Sequence, residues 1–169
     1  LNKVPFADHN AMLDPTCADI TGRVLESLCR RGFTSRDPAI ARGIEFLLKN
    51  QEPNGSWYGR WGVNYVYGTY LAIRGLAASG EPHAKKAIVA GARWLREVQN
   101  PDGGWGESCL GYKTGQFERA DSTPSQTAWA ILGLIAAGEV ASTAVGEGVR
   151  WLREHQRSDG TWEETSTTG

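Results

Sequence analysis

The pattern carried by Gln51-Glu52-Pro53-Asn54-Gly55-Ser56-Trp57 occurs three times in this chain. It returns as Gln99-Asn100-Pro101-Asp102-Gly103-Gly104-Trp105 and as Gln156-Arg157-Ser158-Asp159-Gly160-Thr161-Trp162, each time with Gly four and Trp six residues after the Gln. An aromatic–Leu pair precedes each copy: Phe46-Leu47, Trp94-Leu95 and Trp151-Leu152. The glutamines stand 48 and then 57 residues apart, and the tryptophans keep the same intervals. Self-similarity at such a period predicts a repeat architecture rather than one irregular core.

Outward from each copy, two kinds of helix alternate. Asp14-Pro15-Thr16 predicts a capped helix start with Pro near the first turn, followed by Ile20, Val24, Leu25 and Leu28 at helical spacing and a stop at Gly32. Ser35 or Asp37, with Pro38 behind it, caps a second helix through Ile40, Ile44, Leu47 and Leu48 into the first Gln-Trp turn. The tract from Trp61 to Thr69 leads into a helix through Leu71, Ile73 and Leu76 that ends near Gly80. Pro82 then opens its partner, through Ile88, Trp94, Leu95 and Val98. Ser122-Thr123-Pro124 caps a helix with Trp129, Ile131, Leu132, Leu134 and Ile135 that stops at Gly138, and the last helix carries Val145, Val149, Trp151 and Leu152. Between them, the 16 residues 106–121 make a long connection, which points to a functional or supported loop.

The first helices of the three pairs align on Thr21, Thr69 and Thr127, with Leu25, Ile73 and Ile131 four residues on and Leu28, Leu76 and Leu134 seven residues on. The third is apolar around most of its circumference, as a helix buried on several sides should be. The second helices carry the charges: Lys85, Lys86, Arg93, Arg96 and Glu97, then Glu147, Arg150, Arg153 and Glu154. Inner helices ringed by outer ones make an all-α fold, an α/α toroid. Here it is a partial barrel of three helix-pair repeats, about 14–61, 62–121 and 122–169, within one domain spanning 1–169. In the turns, Gly55, Gly103 and Gly160 allow a tight or left-handed backbone. Trp57, Trp105 and Trp162 can pack on a neighbouring outer helix, while the amides of Gln51, Gln99 and Gln156 bond groups left open at helix ends. A sugar-stacking Trp ladder would need exposed rings on one face.

Composition narrows the function classes. A chain of 169 residues can bury roughly 70% of the surface its unfolded form exposes. Lys and Arg total 18 against 19 Asp and Glu, for a net charge of −1, and no basic cluster supports nucleic acid as a partner. Cys17, Cys29 and Cys109 form no Cys-x-x-Cys pair and read as reduced, mostly buried thiols in a reducing compartment. No signal peptide opens the chain, and no apolar run approaches the roughly 20 residues of a spanning helix. His9, His83 and His155 are scattered, and neither an Asp-rich magnesium motif nor a spaced His/Cys ligand set is present, so no metal and no cofactor is expected.

Several independent tracts carry a resemblance. Arg42-Gly43-x-x-Phe46-Leu47-x-x-x-Gln51-x-x-x-Gly55-x-Trp57 is similar to the Gln-Trp repeat motif of the triterpene cyclases. Gly59 to Thr69, Asn100 to Glu107, Ser122 to Trp129, Pro5-Phe6-Ala7-Asp8 and Asp14-Pro15-Thr16-x-x-Asp19-Ile20-Thr21 resemble the squalene–hopene cyclase family. The likeness runs from about residue 1 to about residue 163. It implies an isomerase in which an acidic Asp protonates the terminal double bond of squalene and rings close through carbocations. Such an acid must be kept protonated by its neighbours. The cations need aromatic faces, each contributing about 2 kcal/mol when desolvated, and shielding from water. The resemblance also implies a peripheral site on the cytoplasmic face of the membrane, squalene or a similar linear isoprenoid as partner, and is compatible with a homodimer.

The family's acid lies in an Asp-x-Asp-Asp-Thr-Ala motif, and no Asp-x-Asp-Asp occurs in this sequence. The chain therefore reads as the C-terminal part of a cyclase, inactive by itself. By the resemblance, Asp19 and Arg23 support an acid lying outside this chain. Arg23 stands where some members have His, and its spacing one turn on leads to the expectation of an ion pair with Asp19. Trp61 and Tyr67 match cavity-lining aromatics, and Phe6 a residue at the substrate-channel constriction, with Ala7 where some members carry Cys. Blander readings stay open for each: a first-turn Asp favoured by the helix dipole, a surface ion pair, and core packing. Two rival classes also stand. One is a prenyltransferase β-subunit-like toroid, which needs an Asp/Cys/His zinc site that Glu107 and Cys109 fit poorly. The other is a non-catalytic helical-repeat piece, whose exposed inner face would favour association.

Overall fold

In a computed structural model that describes residues 15–164, 166 and 168, the two kinds of helix form two layers. The inner layer is α1 (Ala18–Cys29), α3 (Tyr65–Ser79) and α6 (Pro124–Ala136); the outer layer is α2 (Pro38–Lys49), α4 (Lys85–Glu97) and α7 (Thr143–Glu154). A single 3-10 turn, Pro82–Ala84, precedes α4, and a short helix, α5 (Gly111–Thr114), lies in the long connection. Inner helices pack side by side, α1 on α3 and α3 on α6, and each outer helix packs on its own inner partner. Among the described residues there is no strand, only an isolated antiparallel bridge between Glu107 and Arg119.

Local chemistry sets the helix starts. Asp37 accepts from the Ala39 N–H at 2.7 Å, with Pro38 as the first helical residue. Thr123 caps α6 ahead of Pro124, and Ser142 caps α7. The expected cap at Asp14 falls outside the described residues. The helix instead begins after Cys17, whose side chain caps nothing, while its carbonyl accepts from the hydroxyl of Thr21 at 2.8 Å. The cysteines also differ from expectation: Cys109 is exposed, and Cys17 and Cys29 are only half-buried.

The first two Gln-Trp turns each tie together several elements. Gln51 Nε2 donates to the Gly55 carbonyl at 2.8 Å and to the Ala87 carbonyl, in the first turn of the next outer helix, at 2.9 Å. Gln99 repeats this on Gly103 and Ala144 at 2.8 and 3.0 Å. The indole N–H groups of Trp57, Trp105 and Trp162 each donate at 2.7 Å to a carbonyl at the end of their own outer helix, on Leu47, Leu95 and Leu152. The backbone N–H of Trp57 donates to Thr69 Oγ1 at 2.9 Å, and that of Trp105 to Thr127 Oγ1 at 3.0 Å. The aligned threonines are thus the sockets on the next inner helix. Gly55, Gly103 and Gly160 sit at φ of 98°, 94° and 86°, a region that a Cβ disfavours.

The rings close the gap between layers. Trp57 and Trp105 are fully buried, whereas Trp162 keeps 40% of its surface exposed; no further helix pair follows it among the described residues. Burying a ring of this size contributes about 4–6 kcal/mol. A glycine makes room for each buried ring. A Cβ on Gly91 would lie 2.8 Å from Trp57, and one on Gly148 would lie 2.8 Å from Trp105 and 3.0 Å from Ile131. Of the residues aligned by sequence, Leu25, Ile73, Ile131, Leu76 and Leu134 are buried, whereas Leu28 is only partly so. The expectation that α6 is covered on several sides holds only in part: Leu132 and Ile135 are exposed, as are Ile20 and Val24 on α1.

Two glycines of one helix give a matched test. Gly148→Ala drives a methyl group into the Trp105 ring and is expected to cost about 1–3 kcal/mol. Gly146→Ala, where nothing lies within 4 Å of the added carbon, is expected to stabilise by about 0.5–1 kcal/mol. Urea midpoints that move in opposite directions are the expected result; two equal shifts would remove the ring-seating role from Gly148.

Candidate functional site

The site is built where the N-terminal ends of α1 and α3 meet the segment 59–64. Asp19, one residue into α1 and 1% exposed, points its carboxylate across to that segment. Its Oδ2 accepts from the backbone N–H groups of Arg60 and Trp61 at 2.8 and 2.9 Å, and its Oδ1 accepts from the N–H of Ile20 at 2.8 Å. This is more than a first-turn Asp responding to the helix dipole. Three backbone donors occupy the carboxylate, two of them from a distant part of the chain.

Arg23, one turn along α1, does not pair with Asp19 as the spacing suggested. Its guanidinium donates to the Tyr67 hydroxyl at 3.0 Å, and its charge also bears on the Tyr70 phenol. The Asp19 oxygens serve three backbone N–H groups instead. Tyr67 belongs to an aromatic cluster, edge-on to Trp129 with centroids 4.8 Å apart and to Tyr70 at 5.6 Å. Tyr70 in turn lies parallel to Trp129, 6.0 Å away. Burial pushes the phenols of Tyr67 and Tyr70 above their ordinary range, with the Arg23 charge pulling the other way. Both rings are therefore neutral near pH 7.

Trp61 is 45% exposed and is not a core residue. The Arg60 guanidinium carbon stands 5.5 Å from its ring centroid, within cation–π range. What holds Trp61 is its backbone. Next along the segment, the carboxylate of Glu107 enters from the long connection and accepts the N–H groups of Asn64, Tyr65 and Val66 at 3.0, 3.0 and 2.9 Å. Those are the open donors at the N-terminus of α3. Burial pushes the Glu107 carboxyl upward, and its three N–H donors draw it back. Gln126 on α6 uses both amide atoms, donating to the carbonyls of Val63 and Glu107 and accepting from the N–H of Glu107. Enclosed beside them, the Asn64 side chain finds no protein partner for either amide atom among the described residues.

The structure thus joins Asp19 to Trp61 and Arg23 to Tyr67, while Phe6 lies outside the described residues. Sequence reasoning missed Glu107, Gln126, Tyr70, Trp129 and Tyr112 as parts of this site. For Gln126 a signal existed, because it directly precedes the repeat threonine of α6. The connection 106–121 is supported, as its length suggested. Ser108 N–H bonds the Glu118 carbonyl, and Arg119 Nη1 donates to the carbonyls of Val98 and Gln99 at the end of α4. Among the described residues no three His, Cys, Asp or Glu side chains converge to hold a metal ion. Nor is any described helix long and apolar enough to cross a membrane.

Glu107→Gln tests the cap. An amide nitrogen would replace an oxygen that accepts from one or two backbone N–H groups, leaving buried donors facing a donor. The expected loss is about 1–3 kcal/mol, read as a lower urea midpoint; an unchanged midpoint would remove the capping role.

Comparison with known proteins gives a consistent answer. The model of the squalene-hopene cyclase C-terminal domain matches residues 1–169. The chain is 46% identical over 171 residues to a squalene–hopene cyclase of Zymomonas mobilis and 44% identical over 169 residues to one of Alicyclobacillus acidocaldarius. These alignments cover 100% and 99% of this chain but 26% and 27% of the relatives, so the chain spans about a quarter of their length. A dammaradiene synthase of Dryopteris crassirhizoma is 43% identical over 193 residues, covering all of this chain and 28% of the synthase. Among solved structures, an ent-copalyl diphosphate synthase from Streptomyces platensis superimposes with a TM-score of 0.69 at 26% identity, over 89% of this chain and 29% of that one. A type II terpene cyclase from Scytonema, in complex with merosterolic acid A, gives 0.70 at 20% identity, over 97% of this chain and 43% of that one, and shares the fold.

Proposed function

Because this chain belongs to the squalene–hopene cyclase family, through that family's C-terminal domain, we propose that it forms part of a cyclase that closes squalene, or a similar linear isoprenoid, into a polycyclic triterpene. The observation that carries the reading is the bond from Asp19 to the Trp61 peptide. It couples a buried carboxylate on α1 to an aromatic ring left half open.

The chemistry is an isomerisation. A proton adds to a terminal double bond, the tertiary cation draws in the π electrons of the next alkene to form a ring bond, and the cascade ends when a proton is lost to leave a new alkene. The acid is supplied by the rest of the protein. Asp19 and Arg23 support it, with Asp19 fixing the end of α1 and the Trp61 segment together. Trp61 and Tyr67 present faces that stabilise positive charge without forming a bond to it. By donating to the Tyr67 oxygen, Arg23 engages a lone pair that could otherwise trap a cation. The open apolar side chains Ile20, Val24, Leu132 and Ile135 suit a hydrocarbon substrate, and entry of that substrate from a lipid surface suits peripheral attachment to a membrane. The 169 residues alone are inactive on this reading.

Squalene turnover by the full-length protein is the test. Native protein is expected to yield cyclic triterpene, with Asp19→Asn and Trp61→Ala each lowering turnover by about tenfold or more, an order of loss typical of a removed transition-state interaction. No cyclic product from folded full-length protein would overturn the reading. Native rates in both variants would remove these residues from the site.

A further inference from the structure

Trp61 poses a positioning problem. Its ring is half exposed, so packing fixes it only in part, yet a cavity-wall ring must keep one place. The peptide units around it show how the place is kept. In the unit joining Arg60 to Trp61, the N–H goes to Asp19 at 2.9 Å and the carbonyl accepts from the Tyr112 hydroxyl at 3.0 Å. In the unit joining Gly62 to Val63, the N–H goes to the Thr168 carbonyl at 2.8 Å, and the Gly62 carbonyl accepts from the same Tyr112 hydroxyl at 3.0 Å. In the unit joining Val63 to Asn64, the carbonyl goes to Gln126 at 3.1 Å and the N–H to Glu107 at 3.0 Å. Three peptide planes are thus gripped at both ends, and one phenol serves two of them, on either side of Trp61.

We propose that Tyr112 is a positioning residue, whose hydroxyl, shared between the Arg60 and Gly62 carbonyls, locks the backbone flanking Trp61 and so sets where the indole stands on the cavity wall. This rests on the cyclase reading for its consequence, though not for its geometry. Tyr112 comes from α5, in the connection 106–121, and three observations show that it is built for the task. Its ring is edge-on to Tyr58 at 6.1 Å, and Tyr58 is edge-on to Tyr65 of α3 at 5.6 Å. Tyr65 in turn donates its hydroxyl to the Gly115 carbonyl at 2.6 Å, pinning the end of α5 to α3. Tyr112 itself keeps 40% of its surface exposed, and partial burial raises its phenol above the ordinary range, so it remains a neutral donor near pH 7. The long connection is a strap that fastens the Trp61 segment through Tyr112 and is itself tied to α3 through Tyr65.

The chemical consequence concerns fidelity. A ring that moves by about 1 Å no longer faces the charge it should stabilise, so the cation is released early. The test uses full-length protein labelled with 5-fluorotryptophan, with the Trp61 fluorine resonance assigned by its loss in Trp61→Phe. Tyr112→Phe keeps the ring contacts and removes only the hydroxyl. Its Trp61 resonance is expected to shift or broaden, and the share of incompletely cyclised product to rise at least threefold, while total squalene consumption falls less than threefold. Gly148→Ala, destabilised elsewhere, is expected to leave the product ratio alone, which separates positioning from general loss of stability. An unmoved Trp61 resonance, or an unchanged product ratio in an active enzyme, overturns the proposal. If native protein forms no cyclic triterpene, the cyclase reading fails and the fluorine resonance alone decides the role of Tyr112. Should Tyr112→Phe not fold, Tyr65→Phe, which loosens α5 at Gly115, takes its place with the same two readouts and the same overturning results.

Discussion

Everything in this structure hangs on a tryptophan ring set between two helix layers. Trp57 and Trp105 each bury a ring against a glycine of the next outer helix, donate an indole N–H backward and a backbone N–H forward. The ring is the largest apolar group available, and its single polar atom caps a carbonyl that the preceding helix leaves open. Burial and hydrogen bonding therefore reinforce one another, instead of one being sacrificed to the other. The same contact, made twice, turns a string of helix pairs into a curved wall with a defined spacing between inner helices.

That spacing fixes the geometry of the candidate site. Because the Trp N–H groups are seated on Thr69 and Thr127, the N-terminal ends of α3 and α6 are held in register with the outer layer. Close approach does the rest: a Cβ on Gly22 would stand 2.3 Å from the Leu71 carbonyl oxygen, so α1 lies directly against α3. This brings Asp19 within reach of the Arg60 and Trp61 amides. It also sets the side chains of one turn later on a shared face, where Arg23 meets Tyr67 and Tyr70.

The architecture was legible in the sequence because its signals are local and repeated. The spacing of Gln, Gly and Trp, the Pro behind Asp37 and Thr123, and the aligned Leu25, Ile73 and Ile131 each report on a few neighbouring residues. The site was legible in its members but not in its bonds. Asp19 and Trp61 were singled out separately. That one carboxylate binds the other's peptide could not be read, because the acceptor's partners are backbone N–H groups 41 and 42 residues away, and every residue except Pro offers such a donor. Arg23 was assigned to Asp19 by helical spacing, a weak preference of about 0.2–0.5 kcal/mol that yields once the carboxylate is occupied. Tyr112 carried no signal at all, since a tyrosine in a loop has no period to betray its partner.

On the proposed cyclase reading, a site that must face a carbocation constrains how its parts can be held. An aromatic ring stabilises positive charge through its face, so that face has to be left free of protein contacts. Packing on the working side is thereby forbidden, and packing on the far side alone leaves a hinge at the Cα–Cβ bond and a flexible segment behind it. What remains is to immobilise the peptide planes themselves through their own N–H and carbonyl groups. Asp19, Tyr112, Gln126 and Glu107 do this from four different elements or connections, and each spends its polar atoms on backbone rather than on the open space. On the same reading, the arrangement also keeps nucleophilic oxygens away from a cation. The carboxylates are turned toward N–H donors, and the Tyr67 oxygen toward a guanidinium. Holding the ring still and hiding the nucleophiles are therefore one structural solution.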